Sequence, residues 1–237
     1  MRLIPLLAIL LLALPAHADD PRITSVGSSV VSRAPDRALV SLGATTRAST
    51  SAKAQIDLNV AMDRIIKAVR ALNIDSLLVQ TQSVSLSPVY DYGRRGEDVP
   101  RIVAYSASNI VRCRVDDTTK IGPIIDAAIA AGANELHAIG FELKDDAPAR
   151  REALTNAAKD ARDKADTLAA ALGLRITAVE QATVGTPQVF PVWQRGMAME
   201  ARAPASPAEP TPIESGEVTV SAQATVVFIA RPVERPE

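Results

Sequence analysis

Apolar and polar side chains alternate along much of the chain in the period-two pattern that predicts β-strands. The clearest case is residues 217–230, where Val218, Val220 and Phe228 share one side. A strand with one apolar and one polar side is typical of an antiparallel sheet that is solvated on one face. On the same grounds, strands are predicted at 22–33, 36–47, 77–90, 102–115, 175–190 and 217–230, with a further one that includes Phe141 and Leu143.

Three other stretches place apolar residues at helical spacing, and each is bracketed by residues that favour helix ends. Thr50 or Ser51 is the predicted N-cap of the first helix. Asp117 or Thr118 is the predicted N-cap of the second helix. We expect that helix to end at Gly132, because glycine accepts the left-handed conformation.

The third predicted helix is the longest, with a cap at Asp146 and an end at Gly173. Its expected buried face is rich in alanine, which allows close approach to a sheet. That face comprises Leu154, Ala157, Ala161, Ala165, Leu168 and Leu172. Together the patterns predict an α+β fold, mainly antiparallel sheet with three packed helices, in the order ββα-ββ-αβα-ββ.

The N-terminal residues form a separate module. Arg2 precedes an apolar run over residues 3–14, and an A-x-A cleavage site ends at Ala18. The run is shorter than the roughly 20 residues that a membrane-spanning helix needs. We therefore expect a signal peptide over residues 1–18 and export to a bacterial periplasm; the alternative is an uncleaved anchor. No transmembrane segment is expected after cleavage. Residues 19–237 are expected to form one domain, with a disordered tail over 231–237.

Composition argues against a nucleic-acid partner. The chain has 26 Lys and Arg against 27 Asp and Glu, and its formal net charge of −1 leaves no excess of basic residues to bind phosphates. Aromatic residues make up only 3% of the chain, so stacking platforms for bases are not indicated either.

Few residues are available for catalysis. Cys113 is the only cysteine and lies in phase with Val111 and Val115, so we expect a buried small hydrophobe; the alternative is a reactive thiol. His137 is the only histidine after residue 18, and neither a G-x-S-x-G motif nor a glycine-rich phosphate loop is present.

Two adjacent acidic pairs, Asp116-Asp117 and Asp145-Asp146, stand at element ends, where capping explains them better than catalysis does. His and Cys also lack the close spacing of a metal site. The sequence therefore predicts a protein that is not an enzyme, with no catalytic or metal-binding residues and no cofactor.

Residues 191–215 have the proline- and alanine-rich composition of a flexible loop. Phe190, Trp193, Met197 and Met199 provide apolar contact area there. They are our candidate contacts for a partner, another subunit or a membrane surface. The alternative is that Phe190 and Trp193 fold back onto the sheet. The two methionines are also candidates for scavenging oxidant.

Several local patterns occur together in a fixed order. They are the Gly27 strand, Pro35-Asp36-Arg37-Ala38, Gln80-Thr81, Leu86-Ser87-Pro88-Val89-Tyr90, Tyr105-Ser106-Ala107-Ser108-Asn109, IIDAAIAAGAN with Phe141 after it, and Ser215-Gly216-Glu217. In this order they resemble the SIMPL-domain family (DUF541) of exported bacterial proteins, and the resemblance extends from Ile23 to Ile229.

The resemblance implies an α+β fold with a tendency to self-assemble, in proteins that are periplasmic or associated with the outer membrane. Some members are linked to defence against oxidative stress, some are known as surface antigens, and a eukaryotic relative is an adaptor in kinase signalling. The family provides no agreed catalytic residues.

We therefore expect a non-catalytic exported envelope protein that forms a homo-oligomer or binds a protein partner in the cell envelope, in oxidative or envelope stress defence. A small-molecule or lipid-binding periplasmic module is one alternative. A hydrolase or redox enzyme that depends on Cys113 or His137 is another.

Overall fold

The computed structural model describes residues 20–91, 100–192, 211 and 213–233. The expected signal peptide, most of the expected loop and residues 234–237 lie outside this part of the chain. Within it, eight strands and three α-helices confirm the predicted α+β class. The elements are β1 (Arg22–Arg33), β2 (Arg37–Ala48), α1 (Ser51–Arg70), β3 (Leu78–Asp91), β4 (Arg101–Val115), α2 (Ile121–Ala130), β5 (Glu135–Glu142), α3 (Ala147–Ala171), β6 (Leu174–Val184), β7 (Gln188–Val192) and β8 (Glu217–Pro232).

The contacts among the described residues divide the chain into two compact units. Of the described residues, the larger unit contains 29–91, 100–154, 186–192, 211 and 213–222, and the smaller unit contains 20–28, 155–185 and 223–233. Three of the four boundaries fall inside β1, α3 and β8, and the fourth falls between β6 and β7. The expectation of one domain over residues 19–237 stays a prediction.

The larger unit contains an antiparallel sheet in the strand order β3-β4-β2-β5. Val40 lies opposite Cys113, and Leu42 lies opposite Val111, so the apolar side chains of β2 and β4 share one face. These side chains are almost fully buried in a core with the apolar faces of α1 and α2. The alternation in the sequence therefore correctly identifies the buried side of both strands.

Helix α1 begins where its cap predicts. The hydroxyl of Thr50 accepts a hydrogen bond from the backbone N–H of Lys53 at 3.3 Å. One stripe of the helix packs on the sheet, and burying each large aliphatic side chain contributes roughly 1.5–3 kcal/mol. The buried residues are Ala54, Leu58, Ala61, Met62, Ile65 and Val69.

A turn after α2 fastens that helix to the sheet. Gly132 has a φ of +105°, which an L side chain rarely adopts. The side-chain oxygen of Asn134 accepts from the N–H of Thr45 at 2.8 Å, and its amide donates to the carbonyl of Thr45 at 2.9 Å. The Gly-Ala-Asn turn is therefore a joint between α2 and β2.

The smaller unit packs α3 closely against strands. Ala161, Ala165 and Ala169 form a buried cluster with Ile23 of β1 and Phe228 of β8. Strand β8 pairs with β6 here, so the cluster lies on a sheet. The backbone of β1 comes so close to α3 that a Cβ added at Gly27 would lie 2.0 Å from the carbonyl oxygen of Ala157.

The single strand predicted at 175–190 is two strands. β6 pairs with the second half of β8, whereas β7 pairs with its first five residues. Between them lie Gly185, Thr186 and Pro187. Proline has no N–H for a sheet ladder, so the strand is interrupted there.

The predicted buried face of α3 is also partly wrong. Leu168 and Leu172 are 47% and 61% exposed. The buried positions recur at every fourth residue and are all alanine: Ala149, Ala153, Ala157, Ala161, Ala165 and Ala169. Because β1 approaches α3 so closely at Gly27, the helix positions that face it have room for the methyl group of alanine but not for a leucine side chain.

The side chain that caps α3 is that of Asp145 and not, as predicted, that of Asp146. The carboxylate of Asp145 accepts from the N–H of Ala147 at 3.0 Å. The carboxylate of Asp146 instead pairs with the guanidinium of Arg150 at 2.7 Å. Two acidic residues in a row therefore divide the capping and the ion pairing between them.

Candidate functional site

Of the four predicted contact residues, Phe190 lies on β7, opposite Thr219 of β8, and its side chain is half-exposed. Trp193, Met197 and Met199 lie outside the described residues. An anchor formed by these four residues therefore stays a prediction.

Cys113 is a core residue, as predicted. Its side chain is fully buried, and burial raises the pKa of the thiol to about 11. His137 lies on β5, where its Nε2 is 3.5 Å from a carboxylate oxygen of Glu135. Strand β2 separates β4 from β5, and neighbouring strands lie about 4.8 Å apart. The only cysteine and His137 are therefore on separate, non-adjacent strands.

Asp116 is the centre of an ion-pair cluster at one end of the sheet. Its carboxylate lies 2.7 Å from Nε of Arg37 and 2.7 Å from Nζ of Lys144. The hydrogen bonds from these two cations lower the pKa of Asp116 to about 2. The backbone N–H of Lys144 also donates to Asp36 at 2.6 Å. Since Asp116 stays ionised at neutral pH, it joins three chain segments and is not suited to proton transfer there.

The other acidic pairs also have structural roles. Asp117 accepts hydrogen bonds from the N–H and the hydroxyl of Thr119, which lower the pKa of Asp117. Asp145 and Asp146 act at the start of α3. Among the described residues, no group of three or more His, Cys, Asp or Glu side chains is arranged to hold a metal ion.

Three clefts on the described surface of the larger unit are large enough to consider as binding sites. A cleft of about 230 Å³ between α2 and β5 is lined by Leu42, Ile125, Ile129 and Leu136, among others. Ligand pockets typically measure about 300–1,000 Å³, so this cleft suits one apolar side chain better than a lipid. Clefts of about 470 and 380 Å³ lie beside the loop after α1 and beside the end of β5.

The most unusual surface feature is the free edge of β3. Strand β3 is 14 residues long and pairs only with β4 within the sheet. Residues 78–90 contain no charged side chain. Val84 and Leu86 are 56% and 45% exposed. Natural proteins usually protect long free edges with charged residues, prolines or bulges, because unpaired backbone groups attract further strands, and β3 lacks the charged residues.

The other edge strands have such protection. Strands β1, β5 and β6 each carry charged side chains, and β7 has only five residues. Strand β3 does have two register irregularities, between Thr81 and Ser83 and between Val89 and Tyr90. They leave the pairing with β4 unbroken over residues 83–89, and within this segment only Pro88 lacks an N–H for a further strand.

Pro88 indicates which backbone groups of this segment are free. Proline lacks an N–H, so within a sheet it occupies positions whose N–H would point away from the neighbouring strand. Backbone groups alternate in direction along a strand, so Val84 and Leu86 have the same orientation as Pro88. Their N–H and C=O groups therefore point to the open edge.

Sequence reasoning missed this edge and placed the site in the loop after Phe190. The sequence does contain a signal for this edge, because residues 78–90 form a 13-residue stretch without charge in a chain with 22% charged residues. Alternation alone could not show that β3 lies at an edge, because strand order depends on residues distant in sequence.

Comparison with known proteins identifies relatives along most of the chain. The family profile named SIMPL, described as a protein of unknown function (DUF541), matches residues 23–228. The chain is 27% identical to the 26 kDa periplasmic immunogenic protein of Brucella melitensis over 231 residues, 91% of this chain and 90% of that protein. It is 26% identical to the uncharacterized protein YggE of Escherichia coli K12 over 152 residues, 62% of this chain and 61% of that protein.

None of the helices that the structure describes is both long and apolar enough to cross a membrane. The Gly-Ala-Asn joint and the alanine-lined α3 fall inside the segment that the profile matches, as does all of the α+β architecture except the first residue of β1 and the last four of β8. The chain belongs to the SIMPL family of proteins of unknown function.

Proposed function

We propose that this chain is a non-catalytic exported envelope protein that acts by self-association or by binding a protein partner through the open edge of β3. The observation that carries the proposal is the uncharged, half-exposed segment 83–89 on that edge. The buried Cys113 and the fully ionised Asp116 support a role without catalysis, because neither is available for chemistry at neutral pH.

Strand addition explains how the edge would hold a partner. The free N–H and C=O groups of Val84 and Leu86 would pair with a second strand, at a net gain of about 0.5–1.5 kcal/mol for each hydrogen bond. Burial of the two side chains adds a hydrophobic contribution. The segment accepts either another copy of this chain or an extended segment of a different protein.

The setting that we propose is the periplasm, with outer-membrane association and a role in oxidative or envelope stress defence. The name of the Brucella relative, which contains the word periplasmic, supports this location. Cleavage after Ala18 is part of the proposal. Phe190, Trp193, Met197 and Met199 are a second proposed contact set, supported by the half-exposed side chain of Phe190.

The association proposal is tested by light scattering on purified residues 19–237 at micromolar concentration. We expect an oligomer for the wild-type chain and a monomer for the Val84→Lys/Leu86→Lys variant, since lysine on an edge opposes strand addition. The matched control is Ile56→Lys/Val60→Lys, which places two charges on a similarly exposed face of α1.

A strictly monomeric wild-type chain would rule out self-association. Partner binding is then tested by crosslinking and pull-down from the envelope with the same variants. Captured protein should disappear with the β3 variant and persist with the α1 control. Equal capture by both variants would overturn the role of the β3 edge.

A further inference from the structure

The polar face of the sheet in the larger unit has an ordered arrangement across three strands. The pairings of β4 with β3 and with β2 place residues in rows of three on the face opposite the helices. The rows are Ser87-Ser106-Arg47, Ser85-Ser108-Thr45, Ser83-Ile110-Gly43, Gln80-Arg112-Ser41 and Leu78-Arg114-Leu39. We call this surface the serine–arginine face.

The charge within these five rows of three has one sign, whereas the fourth strand of the sheet, β5, places Glu135 opposite Gly43. Arg47, Arg112 and Arg114 lie within the five rows, and no acidic residue does. Within the described residues, no hydrogen bond or ion pair of these three guanidinium groups is found. By contrast, Arg37 at the end of the same sheet is paired with Asp116.

Arg114 gives the strongest sign of a missing acceptor. Its Nε is buried and has no hydrogen-bond partner. Leaving a buried donor unsatisfied costs about 1–3 kcal/mol, and more for a charged group. Leu39 and Leu78 flank it on the neighbouring strands, so the face itself supplies no acceptor in that row.

The spacing of the arginines defines the ligand. Arg112 and Arg114 are two residues apart on β4, which corresponds to about 6.7 Å. Arg47 lies in the row of Ser106, eight residues along β4 from Arg114, or roughly 26 Å. The rows of Ser106 and Ser108 supply serine and threonine hydroxyls in this interval, whereas Ile110 and Ser41 are buried and the Ser41 hydroxyl donates to Gln82 at 2.6 Å. A matching ligand is therefore long, rich in hydroxyl groups, and negatively charged at intervals.

We propose that the serine–arginine face binds an extended polysaccharide that carries carboxylate, phosphate or sulfate groups. Guanidinium groups form strong, forked hydrogen bonds with such anions, and the hydroxyls pair with sugar hydroxyls. The five rows contain no aromatic side chain on which a nucleic-acid base could stack. They also expose no large apolar side chain that could insert into a membrane. The inference does not depend on association through the β3 edge.

The test uses the full mature chain, residues 19–237, with fluorescent dextran sulfate as the probe and uncharged dextran of equal length as the reference. Fluorescence anisotropy should show binding to dextran sulfate only. The Arg47→Gln/Arg112→Gln/Arg114→Gln variant should bind at least tenfold more weakly. The control Arg64→Gln/Arg70→Gln/Arg175→Gln, which has the same net charge, should stay within twofold of the wild-type chain.

A second variant guards against a folding defect at Arg114. Arg47→Gln/Arg112→Gln retains Arg114 and its buried Nε, and should show an intermediate loss. The proposal is overturned if dextran sulfate does not bind, or if both triple variants weaken binding equally, since attraction by net charge would then explain it. Binding to phosphatidylglycerol vesicles without binding to dextran sulfate would also overturn it in favour of a membrane surface.

Discussion

At the scale of single residues, Cys113 shows how the fold suppresses reactivity. The thiolate is the reactive form of cysteine, and burial raises the pKa of this thiol to about 11. We expect the native protein to react with a disulfide reagent at pH 8 only through unfolding. The measurement is the rate of thiol modification in buffer and in concentrated urea, which should differ by several orders of magnitude.

The unfolded chain is the positive control for the reagent, because its thiol should react at once. Rapid modification of the native protein would show that Cys113 is accessible. That outcome would restore the redox-enzyme alternative.

Asp116 makes stability depend on pH. Its pKa is about 2 in the folded protein and about 3.8 when unperturbed, so the unfolded state binds its proton first as the pH falls. The stabilisation is therefore complete above about pH 4 and is lost as the pH falls towards 2. Asp116→Asn should lower the free energy of unfolding at pH 7, and the difference from the wild-type chain should vanish near pH 2. Urea unfolding of both proteins at several pH values measures this difference in the free energy of unfolding.

Asp75→Asn is the matched control, because no ion pair of Asp75 is found in the part of the chain that the structure describes. Its effect should be small at every pH. A wild-type advantage over Asp116→Asn that persists unchanged at pH 2 would contradict the assignment to the Arg37 and Lys144 pairs.

At the scale of elements, the contact between β1 and α3 depends on Gly27. A methyl group there would meet backbone atoms of Ala157 and Ala161, which cannot move aside as a side chain can. Gly27→Ala should therefore destabilise the protein by about 1–3 kcal/mol or more. Gly185→Ala is the control, since its nearest neighbour would be 4.0 Å away. Equal unfolding midpoints for the two variants would contradict the close packing.

The elements also show what the sequence can and cannot predict. The cap at Thr50 and the glycine at position 132 act through neighbours a few residues away, so local patterns located both. The break at Pro187 is also a local signal, since proline interrupts a sheet ladder, whereas the exposure of Leu168 depends on how closely α3 packs against its neighbours. Such distances are set by distant residues, which a periodicity does not reveal.

The same difference between local and long-range information applies to the candidate sites. Alternation correctly separates Cys113 from Arg112 and Arg114, because side chains of a strand alternate between faces. It does not show that Arg47 shares a face with them, because that requires the pairing register of β2 and β4. It also does not show that β3 is an edge.

At the scale of the whole molecule, the central claim is that the β3 edge pairs with another strand. The most direct measurement is hydrogen–deuterium exchange of the β3 amides in residues 19–237, at high and low protein concentration. We predict that the amides of Val84 and Leu86 are protected at high concentration and exchange rapidly on dilution. Rapid exchange of both amides at every concentration, in samples that still form oligomers, would contradict the claim.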